Sequence, residues 1–446
     1  MNTPICDFIR RYTGEDILRL HMPGHKGVPL LGWESWDITE VEGADGLYEA
    51  EGIILESEEN AGQLFGARTL YSTEGSSQCI RAMVYLAALY ARSCGEKTAR
   101  ILAGRNAHKT FLSAAALSGV EVDWLWGTGD SYLSCPVTAA EVRTVLDAAE
   151  VLPTAVYLTT PDYLGNTVDV ASIVEVCHAR GVLLLVDNAH GAYLRFLRPS
   201  RHPVDLGADL CCDSAHKTLP GLTGTAYLHI ADKAPAIFGE RARDAMALFG
   251  STSPSYLLLA SLDAVNRYLA DGYSEKLAEF IPLAEATKSR LVAHGWTLAG
   301  DEPLKITICT KTFGYTGRQT ADLLLENNIV CEFSDPDHLV IMLTPEVGAA
   351  GLLRLETALL SVPRKIPLTE EMPRLSCAVR AMSVREAMMS PCETVPAGES
   401  VGRVLAAASV GCPPAVPIVV CGEMIDETAV ACFAYYGVET VTVVRE

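Results

Sequence analysis

Between about residues 76 and 270 the hydrophobic pattern switches repeatedly between a helical period and short continuous apolar runs, and this restricts the fold more than any other feature. A strand buried on both faces reads as an unbroken apolar run, because helices cover each side of a parallel sheet. Ala155-Val156-Tyr157-Leu158 and Val182-Leu183-Leu184-Leu185-Val186 are such runs. Between them Ile173, Val176 and Cys177 mark one face of a helix, and Gly181 stands where that helix should end. The unit is strand, helix, strand, so the expected class is α/β with a mainly parallel sheet. Ile80, Met83, Val84, Ala87 and Ala91 recur at helical spacing after Gly75-Ser76-Ser77, predicting an amphipathic helix fed by a polar loop. Past Pro254 the pattern is more helical up to about residue 297, and alternation at Lys305-Ile306-Thr307-Ile308 and His338-Leu339-Val340-Ile341-Met342-Leu343 predicts a smaller mixed region. From about residue 366 a proline-rich passage leads to Pro413-Pro414-Ala415-Val416-Pro417. The expected division is an N-terminal arm (1–50), a large domain (51–270), a small α/β domain (271–365) and a C-terminal domain (366–446).

A chain of 446 residues, 49% hydrophobic, can bury a large core. Thirty-five basic against fifty-five acidic residues give a net charge of -20, which repels nucleic-acid phosphates and anionic lipid headgroups and favours a small-molecule partner. No run approaches the roughly 20 apolar residues of a membrane span. The opening MNTPICDFIRRYTGEDILRL lacks the apolar stretch of a secretion signal, so a cytoplasmic protein is expected. The fourteen cysteines are scattered without Cys-x-x-Cys spacing, as free thiols in a reducing compartment would be. Cys211 and Cys212 read as small buried hydrophobes, and no metal is expected.

Ligand chemistry in a parallel sheet gathers at the carboxyl ends of its strands. Asp209-Leu210-Cys211-Cys212-Asp213-Ser214-Ala215-His216-Lys217-Thr218 opens from an apolar strand into hydroxyl, imidazole and amine groups. Lys217 alone would be a surface charge. Asp187, thirty residues earlier (217 − 187) at the end of another apolar run, is costly to bury without a cationic partner, unless it caps the next helix. A protonated pyridine nitrogen is such a partner, since a neighbouring carboxylate favours the charged form. Gly75-Ser76-Ser77 before a helix offers amides, hydroxyls and the positive end of the helix dipole to a phosphate, or an ordinary N-cap. Arg105-Asn106-Ala107-His108-Lys109 places an imidazole at a further strand end, where a plain surface histidine also fits.

The blocks together resemble the fold-type I pyridoxal-phosphate enzymes of the ornithine, lysine and arginine decarboxylase family, compact bacterial type. They are His21-Met22-Pro23-Gly24-His25-Lys26-Gly27, Asp37-Ile38-Thr39-Glu40, Phe65-Gly66-Ala67, Arg105-Asn106-Ala107-His108-Lys109, Pro161-Asp162-Tyr163-Leu164-Gly165, Val186-Asp187-Asn188-Ala189-His190-Gly191-Ala192, Ser214-Ala215-His216-Lys217-Thr218-Leu219-Pro220 and Thr252-Ser253-Pro254-Ser255-Tyr256. The resemblance implies a fold-type I transferase-like large domain with smaller α+β C-terminal domains. It implies decarboxylation of lysine, ornithine or arginine to carbon dioxide and a di- or polyamine. It further implies that Lys217 carries pyridoxal 5'-phosphate as a Schiff base, that Asp187 pairs with its ring nitrogen and that His108 stacks on the ring. Gly75, Ser76, Ser77, Ser214 and His216 would lie at the phosphate, with His190 or His216 beside Lys217 as proton carriers. Ser251 and Thr252 would reach the partner subunit's phosphate in a homodimer. Glu332 would meet the substrate's distal cation, or be a solvated edge-strand glutamate.

The chain departs from the family pattern in three places: Glu74-Gly75-Ser76-Ser77 and then Cys79-Ile80 stand for Asn-Gly-Ser-Thr and a later Gly-Asn, Asn188 for a frequent glutamate, and Ala415 for the glycine of Pro-Pro-Gly-Ile-Pro. The alternatives left open are another fold-type I reaction, aminotransfer or side-chain cleavage, and a cofactor-binding homologue without turnover.

Overall fold

The computed structural model describes residues 1–128, 132, 134–374, 377–411 and 416–445. Pro413, Pro414 and Ala415 lie outside the described residues. The large sheet has seven strands: β1 (Arg68–Ser72), β2 (Arg100–Gly104), β3 (Glu121–Leu125), β4 (Ala155–Thr159), β5 (Leu183–Asp187), β6 (Leu210–Ser214) and β7 (Ala226–Ile230). Its β2/β3 and β5/β6 pairs are parallel, and β7 runs antiparallel to β1 and β6. A four-stranded antiparallel sheet follows, made of β8 (Thr297–Ala299), β9 (Lys305–Cys309), β10 (Phe333–Ser334) and β11 (His338–Met342), in the order β10-β11-β9-β8.

The α/β class with a mainly parallel sheet is thus what the chain adopts. The apolar run at 182–186 forms β5 one residue later, so that Asp187 is its last residue. The helix read from Ile173, Val176 and Cys177 spans Val170–His178, and Gly181 follows it at φ +70°. Helices named below are α1 (Pro4–Gly14), α2 (Ile53–Phe65), α3 (Ser76–Ser93) and α4 (Lys109–Ser118).

The chain divides into two compact units, neither continuous in sequence. The first comprises Met1–Ala99, Thr154–Val156 and Val170–Glu275. In it, α3 buries Ile80, Met83, Val84, Ala87 and Ala91 as its spacing predicts, packing against β6 and β7. Each large apolar side chain so buried contributes about 1.5–3 kcal/mol. All five residues of β6 are buried, so Asp213 and Ser214 enter the interior with the apolar residues before them.

The second unit comprises Arg100–Pro153, Tyr157–Asp169 and Lys276–Glu446. Here Arg105, fully buried, makes two hydrogen bonds to Glu423 at 2.6 and 2.7 Å and lies over the Trp124 and Trp126 rings. The C-terminal segment therefore supplies the carboxylate that neutralises the strand-end arginine after β2. Among the described residues no helix is long and apolar enough to cross a membrane, and the described cysteines are free thiols.

Candidate active site

The first unit gathers most of the sequence-predicted residues around the ends of β5 and β6. The strands run parallel with Asp187 beside Cys212, and the chain turns at once, the Asn188 N–H donating to the Cys212 carbonyl at 3.0 Å. Asp187 is 3% exposed, and its Oδ1 accepts from the Ala189 N–H at 3.1 Å. Beyond β6 a single helical turn, Ala215–Thr218, carries Lys217, half-buried, with Nζ 3.1 Å from His190 Nε2. The His216 ring donates from Nδ1 to the Thr225 carbonyl at 2.8 Å, which leaves Nε2 as the nitrogen able to accept.

The turn before β7 ties this segment to the serine loop. The Ala215 N–H donates to the Thr225 carbonyl at 3.1 Å, and the Gly75 N–H donates to the Gly224 carbonyl at 2.7 Å. Gly75 sits at φ +69°, ψ −179°, a conformation only glycine adopts without strain, and this turns the chain into α3. No side chain caps α3, and Ser76 and Ser77 are half-buried at its first turn. The exposed Glu74 side chain points to solvent. Two hydroxyls nearby in sequence to Lys217, Ser214 Oγ and Thr218 Oγ1, are buried without a hydrogen-bond partner among the described residues.

Ser251 and Thr252 are exposed, on the turn after Gly250. A Cβ on Gly250 would run into the Tyr48 hydroxyl and the Gln78 amide. Gln78 donates to that hydroxyl and to the Met246 carbonyl, both at 2.8 Å, and accepts from Ser72 Oγ at 2.6 Å. His108 and Glu332 belong to the second unit. His108 is exposed as the N-cap of α4, its Nδ1 accepting from the Thr110 N–H at 3.3 Å. Glu332 is exposed and accepts from the Tyr163 hydroxyl at 2.8 Å.

Sequence reasoning missed the group that holds Asn188, the residue after Asp187. Asp213, fully buried, accepts from Asn188 Nδ2 at 2.7 Å and contacts His202 Nε2 at 3.0 Å and His229 Nε2 at 3.2 Å. Burial alone would push this carboxyl up, but the two imidazoles hold it well below the usual carboxylate range. Burial pushes His229 down, outweighing the pull of Asp213. Asn188, a departure from the family pattern, is here a donor to a neighbouring carboxylate. Burial also pushes the Cys211 and Cys212 thiols up, as suits small hydrophobes.

The family described as Orn/Lys/Arg decarboxylase, major domain, matches residues 3–309. An arginine decarboxylase of Halalkalibacterium halodurans is 30% identical, over 96% of this chain and 92% of that protein. The Francisella novicida lysine decarboxylase LdcF shares the fold with a TM-score of 0.78 at 18% identity, over 99% of this chain and 79% of that one. An alanine–glyoxylate aminotransferase from Nostoc sp. is similar at a TM-score of 0.57 and 18% identity, over 71% and 88% of the two chains. Structural likeness at these identities establishes the fold, which also serves aminotransfer; the family match over most of the chain separates the two. The chain belongs to the Orn/Lys/Arg decarboxylase family of fold-type I pyridoxal-phosphate-dependent amino-acid decarboxylases.

Proposed function

We propose that this protein holds pyridoxal 5'-phosphate on Lys217 and decarboxylates a basic amino acid, arginine, lysine or ornithine, to carbon dioxide and a di- or polyamine. The observation that carries the reading is the pairing of β5 with β6, which sets buried Asp187 on one strand end and the Lys217 turn on the next. Ser214 Oγ supports the fit, because a buried hydroxyl without a partner is costly unless a ligand takes its hydrogen bond. When bound, the cofactor supplies an electron sink for the pair left as the carboxylate departs.

The remaining roles fall to the protein. Asp187 favours a protonated ring nitrogen, while Ser76, Ser77, Ser214 and the uncapped amides of α3 hold the phosphate. Lys217 and His190, 3.1 Å apart, can pass a proton between them, and His216, once Nε2 has taken a proton from solvent, can deliver it to the substrate's Cα. His108 offers a ring face for stacking. Glu332, held by Tyr163, offers its carboxylate to the substrate's distal cation. The reading includes a cytoplasmic homodimer serving polyamine formation, with Ser251 and Thr252 reaching the partner's phosphate. Leu18, Leu20, Leu30, Leu31 and Trp33 in the N-terminal arm are exposed, as apolar side chains that a partner subunit covers would be in a single chain. Glu74 is exposed, so solvent screens its charge at the phosphate loop.

Borohydride reduction followed by peptide mass spectrometry tests the anchor: the pyridoxyl group should sit on Lys217, and a label on any other lysine sinks the reading. Lys217→Ala should lose the cofactor's visible absorbance with an unchanged circular dichroism spectrum. Assays with the three amino acids then test the reaction, and labelled Lys217 without carbon dioxide release from any of them would leave cofactor binding standing but not decarboxylation.

A further inference from the structure

The hairpin joining β10 to β11, Asp335-Pro336-Asp337-His338, carries chemistry that the proposed reaction does not use. Asp335 Oδ1 accepts from the backbone N–H groups of Asp337 at 2.7 Å and His338 at 2.6 Å, which fixes the turn. Among the described residues its Oδ2 and Asp337 Oδ2 are buried without a hydrogen-bond partner, and so is His338 Nδ1, whose contact with Asp335 Oδ1 at 3.7 Å is too long for one. The three side chains are 3%, 12% and 10% exposed, and one ligand atom from each lies within 4.8 Å of the others. Buried polar atoms left unpaired are costly, and three converging ones point to a common occupant.

Lys311 Nζ lies 3.0 Å from Asp337 Oδ1, which also accepts from the Tyr435 hydroxyl at 2.7 Å, so one ammonium answers one carboxylate. Asp335, almost wholly buried, faces the His338 imidazole, with Nδ1 at 3.7 Å. Cys309, half-buried, stands opposite His338 in the β9/β11 register and borders its ring.

We propose that Asp335, Asp337 and His338 form a binding site for a divalent transition-metal ion of the zinc class, clamping the hairpin that starts three residues after Glu332 (335 − 332). Two carboxylate oxygens and one imidazole nitrogen suit zinc and its neighbours, whereas magnesium and calcium demand six or more oxygens. A fourth position remains for water or the Cys309 thiol.

The test uses the full-length protein, stripped by chelator and dialysed against zinc chloride alone, with bound metal counted. Fourteen cysteines give a background, so the wild type is compared with Asp335→Asn and His338→Gln. The expected result is one zinc equivalent whose affinity falls at least tenfold in each variant and is not matched by magnesium. Variants that bind zinc as the wild type does would overturn the site. X-ray absorption on the wild-type zinc form serves if the variants misfold: a nitrogen and oxygen shell supports the proposal, and an all-sulfur shell overturns it.

Discussion

Asp213 is a buried carboxylate whose charge rests on its two imidazole neighbours. Its carboxyl is held low by His202 and His229 despite full burial, and His229 is held low by burial. Both shifts act in the same direction. A depressed carboxyl contributes stability above its unfolded value of about 3.9, lost as pH falls through the lower folded value. A depressed histidine likewise resists the proton that the unfolded chain accepts below about pH 6.5, so stability declines from there downward. Thermal unfolding should therefore move to lower temperature between pH 7 and pH 5, and Asp213→Asn, which removes the pull favouring protonated His229, should leave that slope at least as steep while lowering stability at pH 7. A flat profile in the wild type would contradict the network. Lys217 and Asp187 were legible because each follows an apolar run in a fixed order of motifs. Asp213 was in plain view, but nothing local announced that His202 and His229 would converge on it. The Arg105–Glu423 pair joins residues 318 positions apart, and such pairing leaves no periodicity to read.

At the scale of elements, periodicity recovered α3 and β5 nearly to the residue, because a helix face and a doubly buried strand each impose a pattern on the chain. What it could not supply is the clamp that joins α3 to the Ser251–Thr252 turn. Gln78, in the first turn of α3, holds Ser72, Tyr48 and the Met246 carbonyl, and the bare Cα of Gly250 fits against that cluster. A methyl group there must displace the Tyr48 hydroxyl or the Gln78 amide. Gly250→Ala should cost about 1–3 kcal/mol, the usual range for overpacking. Because the clamp reaches both α3 and the following turn, the variant should also hold cofactor more weakly. Equilibrium denaturation and cofactor titration check the two effects. Unchanged stability would show that the segment relaxes freely and that the clamp is weak.

The whole molecule raises the question of how many chains build one site. Ser251 and Thr252 stand on an exposed turn, while Lys217 is half-buried beside His190. If the turn serves the partner's phosphate, each site takes Lys217 from one protomer and Ser251 and Thr252 from the other. Lys217→Ala should then be inactive as a homodimer, and a Ser251→Ala/Thr252→Ala double variant should bind cofactor poorly. Mixed after unfolding and refolding together, the two would form hybrid dimers in which one site inherits an intact lysine and an intact turn, and the other inherits both defects. Half of randomly assorted dimers are hybrids, each with one working site of two, so about a quarter of wild-type activity should return. If the turn served its own chain's site, every hybrid site would carry one defect and no activity would be regained. The outcome separates the two arrangements without reference to which basic amino acid is consumed.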